Sequence, residues 1–169
     1  MSERIDLYTP DLRLTGQTIL RGETVPDGLF RVVAGFIVCH TDGMLLLTLR
    51  DHSKTECPDM YEMTGSGGVR AGESAADGCL REMREETGLV PCEPPQLLYT
   101  DVRADMRAAF CTYLCLYNGS KDAVRLQKGE TAAYRWLSPE EVLRMERETP
   151  ERIYLSPGGR LYLETQRMK

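Results

Sequence analysis

The sequence predicts an α+β fold, a succession of short strands interrupted by a few helices. Three observations predict it. β-rich runs flank Asp42-Gly43, the stretch from Ala75 to Thr87 sets apolar residues at helical spacing between a serine and a glycine, and Ser138-Pro139-Glu140-Glu141 has the composition of a helix start. No internal repeat, low-complexity tract or long linker divides the chain. Its 169 residues fit one compact domain, residues 1–169, able to bury a core without disulfides or structural metal.

In chain order, "RIDLYTPDLRLTGQTILRGE" holds two short apolar runs around Pro10 and Asp11, which predicts an amino-terminal hairpin within residues 1–28, closed by "VPDG". From Phe30 to Arg50, "FRVVAGFIVCHTDGMLLLTLR" predicts a second hairpin turning at Asp42-Gly43, where a tight turn wants positive φ at both central residues. "MYEMT" predicts a short strand, and "GSGG" a glycine-rich loop leading into the acidic helix. "QLLYTDV" and "AAFCTYLCLYN" are expected as strands flanking "RADM", and "AAYRWLS" as another. The serine cap and proline at 138–139 predict a helix running to about Glu146, and "GRLYLETQRM" a last one.

Composition narrows the function classes. With 21 basic and 26 acidic residues the formal net charge is −5, which argues against binding nucleic-acid polymers through their phosphates. A phosphate-bearing ligand then needs help from a cation. "MSERIDLYTP" lacks the apolar run of a secretion signal and no segment approaches a membrane span, so a cytoplasmic protein without membrane contact is expected. The cysteines at 39, 57, 79, 92, 111 and 115 form no CxxC pair, and most sit in apolar runs, which suits buried reduced thiols. The only histidines, His40 and His52, are more in keeping with structural or surface roles than with metal ligation.

The acidic helix poses the sharpest question. Ser74 with Asp77 predicts a capping box, and Gly88 a left-handed stop. At about 100° per residue, Ala76, Cys79, Leu80, Met83 and Thr87 share one face, and Glu82, Glu85 and Glu86 form a stripe on the other. Like charges at this spacing repel and weaken a helix. A solvated face is the plain reading, with Arg81 and Arg84 diluting the repulsion. The upstream glycines favour another one: they permit close backbone approach and expose carbonyls, and clustered carboxylates plus a carbonyl suit a hard divalent cation such as magnesium.

These residues carry a family resemblance. Gly67, five residues, Glu73, seven residues and then Arg81-Glu82-Met83-Arg84-Glu85-Glu86-Thr87-Gly88-Leu89 resembles the signature of the Nudix hydrolases at every defined position. The strands before it and "YRWLSPEEV" after it are similar to that family too. The resemblance implies a mixed β-sheet sandwiched between α-helices and hydrolysis of a diphosphate linked to another group. It further implies Mg2+ or Mn2+ as cofactor, a small-molecule diphosphate as partner, and a possible homodimer. Glu82, Glu85 and Glu86 match the family's metal ligands, with the carbonyl of Gly67 as an additional one. Arg81 and Glu73 match its internal ion pair, bracing the ligands. The candidates for general base are Glu82, Glu85 and Glu130, the last either a loop base or an exposed loop glutamate.

For the rest of the pocket the candidates are Arg50, whose fork suits either a phosphate or the adjacent Asp51, and Tyr61, Glu62 and Arg103, each of which also reads as surface or strand packing. Ser66-Gly67 and Arg70 stand where many members carry two glycines and an acid. "ERIDLY", "TGQTILRGE" and "VPDGLFRVV" resemble a subgroup related to isopentenyl-diphosphate isomerase. By register, however, Ser66 replaces that enzyme's cysteine and Gly68 its histidine, and Cys57 precedes the "MYEMT" strand instead of following it. Hydrolysis is therefore the expected activity, with isomerisation or a non-catalytic nucleotide-binding module as the alternatives.

Overall fold

The computed structural model describes residues 3–167. The amino-terminal hairpin is present as β1 (Arg4–Tyr8) and β2 (Leu14–Leu20), paired antiparallel from Arg4↔Leu20 to Tyr8↔Leu14. Next comes β3 (Arg31–His40), the hub of the main sheet. It runs parallel to β8 (Ala108–Tyr117) from Arg31↔Ala108 to His40↔Tyr117, and antiparallel to β6 (Thr64–Gly68) from Val33↔Gly68 to Ile37↔Thr64. On the outer side of β8 lies β7 (Gln96–Arg103), also antiparallel. A second wing joins β4 (Leu45–Arg50) to β9 (Thr131–Leu137) and to β5 (Tyr61–Glu62), with β10 (Ile153–Tyr154) parallel at its edge.

Two local expectations change. The β3–β4 hairpin is not a tight two-residue turn, because only Gly43 has positive φ, at +90°. Asp42 instead accepts the Met44 N–H through its carboxylate at 3.1 Å, and the His40 N–H closes the loop on Met44 O at 2.8 Å. The strands then diverge after the single pair Cys39↔Leu45. Nor is "GSGG" a loop, since Gly65 to Gly68 are strand residues in β6. β3 has a backbone edge to satisfy, and the small residues there bring β6 close beneath a helix. The short strand Ile153–Tyr154, which no local pattern signals, forms only because the chain returns alongside Tyr61–Glu62.

Three helices cover the sheet. α1 (Ala75–Thr87) has the expected bounds: Ser74 accepts the Asp77 N–H at 3.1 Å, and Gly88 stops the helix at φ 71°. The capping box is incomplete, because the Asp77 carboxylate takes the Ser74 hydroxyl instead of a backbone N–H. α2 (Pro139–Glu148) has a full one, Ser138 N–H to Glu141 at 2.8 Å and Glu141 N–H to Ser138 Oγ at 3.2 Å, and it continues past Glu146. α3 (Pro157–Arg167) begins earlier than its apolar stripe suggests, and Met168 of that stretch lies outside the described residues.

Strand alternation sorts β3 between two cores. Val32, Ala34, Phe36 and Val38 face α1, where Cys79 and Met83 are fully buried. Ile37 and Cys39 face Val142 of α2 and Tyr162 and Leu163 of α3. Burying a side chain such as Met83 contributes roughly 1.5–3 kcal/mol, which anchors α1 against the repulsion of its own acids.

Candidate active site

The acidic stripe of α1 does not face solvent as a unit. Glu82 and Glu86 are buried while Glu85 is exposed. The cause lies in β6, where Gly65 and Gly67 alternate toward the helix. A Cβ on Gly67 would stand 2.0 Å from the Glu82 carboxyl carbon, and one on Gly65 would stand 2.5 Å from Glu86 Oε2. The two glycines leave room for two carboxylates against the strand. Ser66, between them, points to the other side and lines a cavity.

Arg81 organises this end of the helix. Its Nε and Nη2 donate to the two oxygens of Glu73 at 2.9 Å, Nη2 also donates to Gly68 O at 2.9 Å, and Nη1 contacts Glu82 and reaches Glu85 at 3.3 Å. The hydrogen bonds to Glu73 above all push the Arg81 pKa up. Burial pulls the Glu73 pKa upward, but Arg81 and the Arg70 N–H outweigh it and hold that pKa below the ordinary value. A second link, without a signal in the sequence, runs outward. Arg70 pairs with Glu3 of the amino-terminal hairpin and approaches Glu85 at 3.5 Å, while Asp6 of β1 accepts the Gly72 N–H at 2.7 Å.

Glu86 is the electrostatic extreme. Burial, then Glu62, Glu82 and Glu130, raise its pKa well above the carboxylate range, and only Lys54 opposes them. Among the described residues, no hydrogen bond to its carboxylate contributes to that balance. Glu82 and Glu62 are raised as well, burial again the leading cause and Arg81 and Arg50 respectively opposing it.

As the side chains stand, no group of three or more described His, Cys, Asp or Glu residues is positioned to hold a metal ion. The donor set nonetheless fits a hard divalent cation. The groups are carboxylates, and the most buried of them, Glu86, has among the described residues no compensating charge or donor other than Lys54 at longer range.

Around this centre the other candidates separate. Glu130 pairs with Lys54, and the Asp51 N–H bonds Glu130 O at 2.9 Å, tying two loops together. Arg50 pairs with Glu62, Nη1 donating to both oxygens at 3.0 Å, and not with Asp51, whose carboxylate takes Ser53. Tyr61 turns away: it is buried in the α2–α3 core, with the Arg135 guanidinium 4.9 Å from its ring centre. Arg50, Glu62 and Arg103 line a cavity of about 450 Å³, and Arg103 is spent on Asp105 at 3.0 Å. Cys57, despite its place in chain order, also lines this cavity, because the loop after β4 folds back over it. His52 is exposed beside Asp59, and His40 packs against Tyr117 and Trp136. A shallower hollow of about 280 Å³ bounded by Leu80, Arg84 and Val90 holds none of the candidate groups.

Sequence reasoning misses Lys54, Gly65 and the Glu3–Arg70 link. The glycine-x-glycine alternation ahead of an acidic helix is the one available signal for Gly65. Lys54 and Glu3 leave none, since each meets its partner only through tertiary folding.

Comparison with known proteins bears on the family and the fold. Residues 29–157 match the NUDIX domain family. An uncharacterized Nudix hydrolase of Listeria monocytogenes is 30% identical over 88 residues, 52% of each chain, so the chain spans about half the length of that relative. An isopentenyl-diphosphate Delta-isomerase of Shigella flexneri is 29% identical over 129 residues, 73% of this chain and 70% of that one. In fold, a crystal structure from Deinococcus radiodurans superimposes with a TM-score of 0.67 at 20% identity, covering 87% of this chain and 90% of the other. The chain belongs to the Nudix domain family.

Proposed function

We propose that the protein hydrolyses the diphosphate bond of a nucleoside diphosphate linked to another group, or of a similar compound, with Mg2+ or Mn2+. The observation that carries this reading is the pair of buried carboxylates, Glu82 and Glu86, seated on Gly67 and Gly65, where Arg81 meets Glu82 but no cation among the described residues is in contact with Glu86. Glu82, Glu85, Glu86 and the Gly67 carbonyl would hold the cation. When bound, it supplies charge neutralisation at phosphate oxygens and activation of water.

The chain's own residues do the rest. Arg81 and Glu73 fix the helix end so that Glu82 and Glu85 keep their places. A carboxylate among Glu82, Glu85 and Glu130 takes the proton of the attacking water; Lys54 positions Glu130 for that role. The water oxygen bonds to phosphorus as the bridging P–O bond breaks, and the leaving phosphate carries off the electron pair. Arg50, held between Glu62 and the Glu56 carbonyl at 2.9 Å, sets the cavity wall on which the substrate's other moiety rests.

The test is turnover of nucleoside diphosphate sugars, dinucleoside polyphosphates, nucleoside triphosphates, coenzyme A and isoprenyl diphosphates with magnesium. Inactivity on all of them, with Glu85→Gln and Glu86→Gln binding metal as the wild type does, refutes the reading. Isomerisation is the second reading, favoured by the 29% identical relative and by Cys57 at the cavity. Ser66 and Gly68 oppose it by lacking a thiol and an imidazole at those places. A shifted double bond in isopentenyl diphosphate without phosphate release would decide for the isomerase.

A further inference from the structure

The cavity of about 450 Å³ lies beside β6, and Glu62 on its wall stands near enough to Glu86 of α1 to act on its charge; a ligand whose diphosphate meets the helix would place its other moiety there. What lines it has a distinct chemistry. Tyr99, Asp101 and Arg103 alternate along β7 on the cavity side, and Asp101 stands directly opposite Phe110 on β8, as Tyr99 stands opposite Thr112. Side chains in such cross-strand pairs sit about 4.5–5.5 Å apart at Cβ.

The charges of this cavity are mostly already matched: Arg50 is taken by Glu62 and Arg103 by Asp105. Two lining carboxylates make no side-chain hydrogen bond or ion pair among the described residues: Glu56, exposed on the loop after β4, and Asp101, half-buried on β7, with Arg103 near enough to act on its charge. An ionised carboxylate accepts through two oxygens and donates nothing. Beside an aromatic platform it selects a planar ring with two neighbouring N–H donors on one edge. Guanine presents that edge, with N1–H next to the 2-amino group; adenine and cytosine set a donor beside an acceptor, and hypoxanthine lacks the second donor. A prenyl chain has no donor for the carboxylate at all.

We propose that this cavity binds a guanine nucleoside moiety, with Asp101 reading the N1–H and 2-amino edge of the base and Phe110 supporting its face. The inference deepens the hydrolase reading and rests on it for the placement of the diphosphate. Guanosine, inosine and adenosine, which lack phosphate and need no metal or turnover, are the probes, titrated calorimetrically into the full chain.

Guanosine should bind ~10-fold or more tightly than inosine and adenosine, as befits the loss of a charge-assisted hydrogen bond. Asp101→Asn, nearly isosteric, should abolish that preference, and Phe110→Ala should weaken all three nucleosides alike. Equal affinity for the three, or a guanosine preference that survives in Asp101→Asn, overturns the proposal. The nucleoside pattern without hydrolysis of any guanosine diphosphate derivative leaves base reading standing and removes the hydrolase reading. Hydrolysis with equal kcat/KM on guanosine, adenosine and uridine derivatives removes the base reading alone.

Discussion

Replacing Gly67 by alanine tests the geometry at its tightest point. The added methyl would stand 2.0 Å from Glu82 Cδ and Oε1 and 2.4 Å from Oε2. Ordinary carbon contacts lie near 3.5–4.0 Å, so roughly 1.5–2 Å of movement is required. Gly67 does not have positive φ, so the strain comes from the contact and not from the backbone. Two responses are open. Either Glu82 swings out of its place, where a misplacement of about 1 Å can cost ~100-fold in rate, or α1 lifts off β6 at an overpacking cost of about 1–3 kcal/mol. Full burial of Cys79 and Met83 holds the helix down, which favours the first.

The assay is kcat/KM on whichever diphosphate the panel identifies, alongside Mn2+ affinity and thermal melting. Gly67→Ala should lose ~100-fold in kcat/KM, with weakened metal binding and a modest melting shift. Gly68→Ala, whose methyl meets nothing within 4 Å, should stay within about threefold. Adding Glu82→Asp to Gly67→Ala shortens the crowded side chain and should recover part of the melting shift. If Gly67→Ala keeps wild-type metal affinity and rate, the packing of Glu82 against Gly67 has no part in catalysis and the site must be rebuilt.

Four further outcomes follow from the same contacts. Glu86→Gln should stabilise the chelator-treated protein at neutral pH while weakening metal binding; because the folded pKa of Glu86 is raised above the ordinary 4.5, the unfolded chain releases its proton first, wild-type stability falls as pH rises above that value, and the advantage of the variant should vanish in melts below it. Arg81→Ala leaves Glu73 and Glu82 without their partner and should cost about 3–5 kcal/mol in denaturant unfolding, with Arg81→Lys recovering only part; an unchanged midpoint would contradict the brace. Gly88→Ala forces a side chain into φ 71° with its Cβ 2.9 Å from that of Arg125, and should lower stability by ~1 kcal/mol or more, read by thermal melting. Magnesium at about 100 times its dissociation constant should stabilise the wild type by ~2.7 kcal/mol, and Glu85→Gln should lose most of that gain in the same melts.

Several features are legible in the chain alone. The bounds of α1 follow from Ser74 and Gly88, whose preferences for cap and left-handed stop are local properties. The α2 capping box is local for the same reason. The strand character of Gly65 to Gly68 is not, since glycine has low strand propensity and the segment becomes a strand only because β3 offers an unpaired edge. The β3–β4 turn misleads differently: Asp42-Gly43 suits a tight turn, but the two strands part after one pair to serve different wings, so no local hairpin register has to be kept.

By itself, then, the sequence determined which residues could do chemistry, because their types and spacing are written in the chain: the acids on one turn of helix, the arginine among them, and the glycines ahead. Tertiary structure decided which of these meet and in what state. Burial against β6 raised the pKa of Glu82 and Glu86 and left Glu85 outside. Folding back of the loop after β4 set Lys54 on Glu130 and Cys57 in the cavity. Cross-strand register put Asp101 beside Phe110. Each of these depends on the distance between residues far apart in the chain and on how much water remains between them, quantities that spacing along a sequence does not carry.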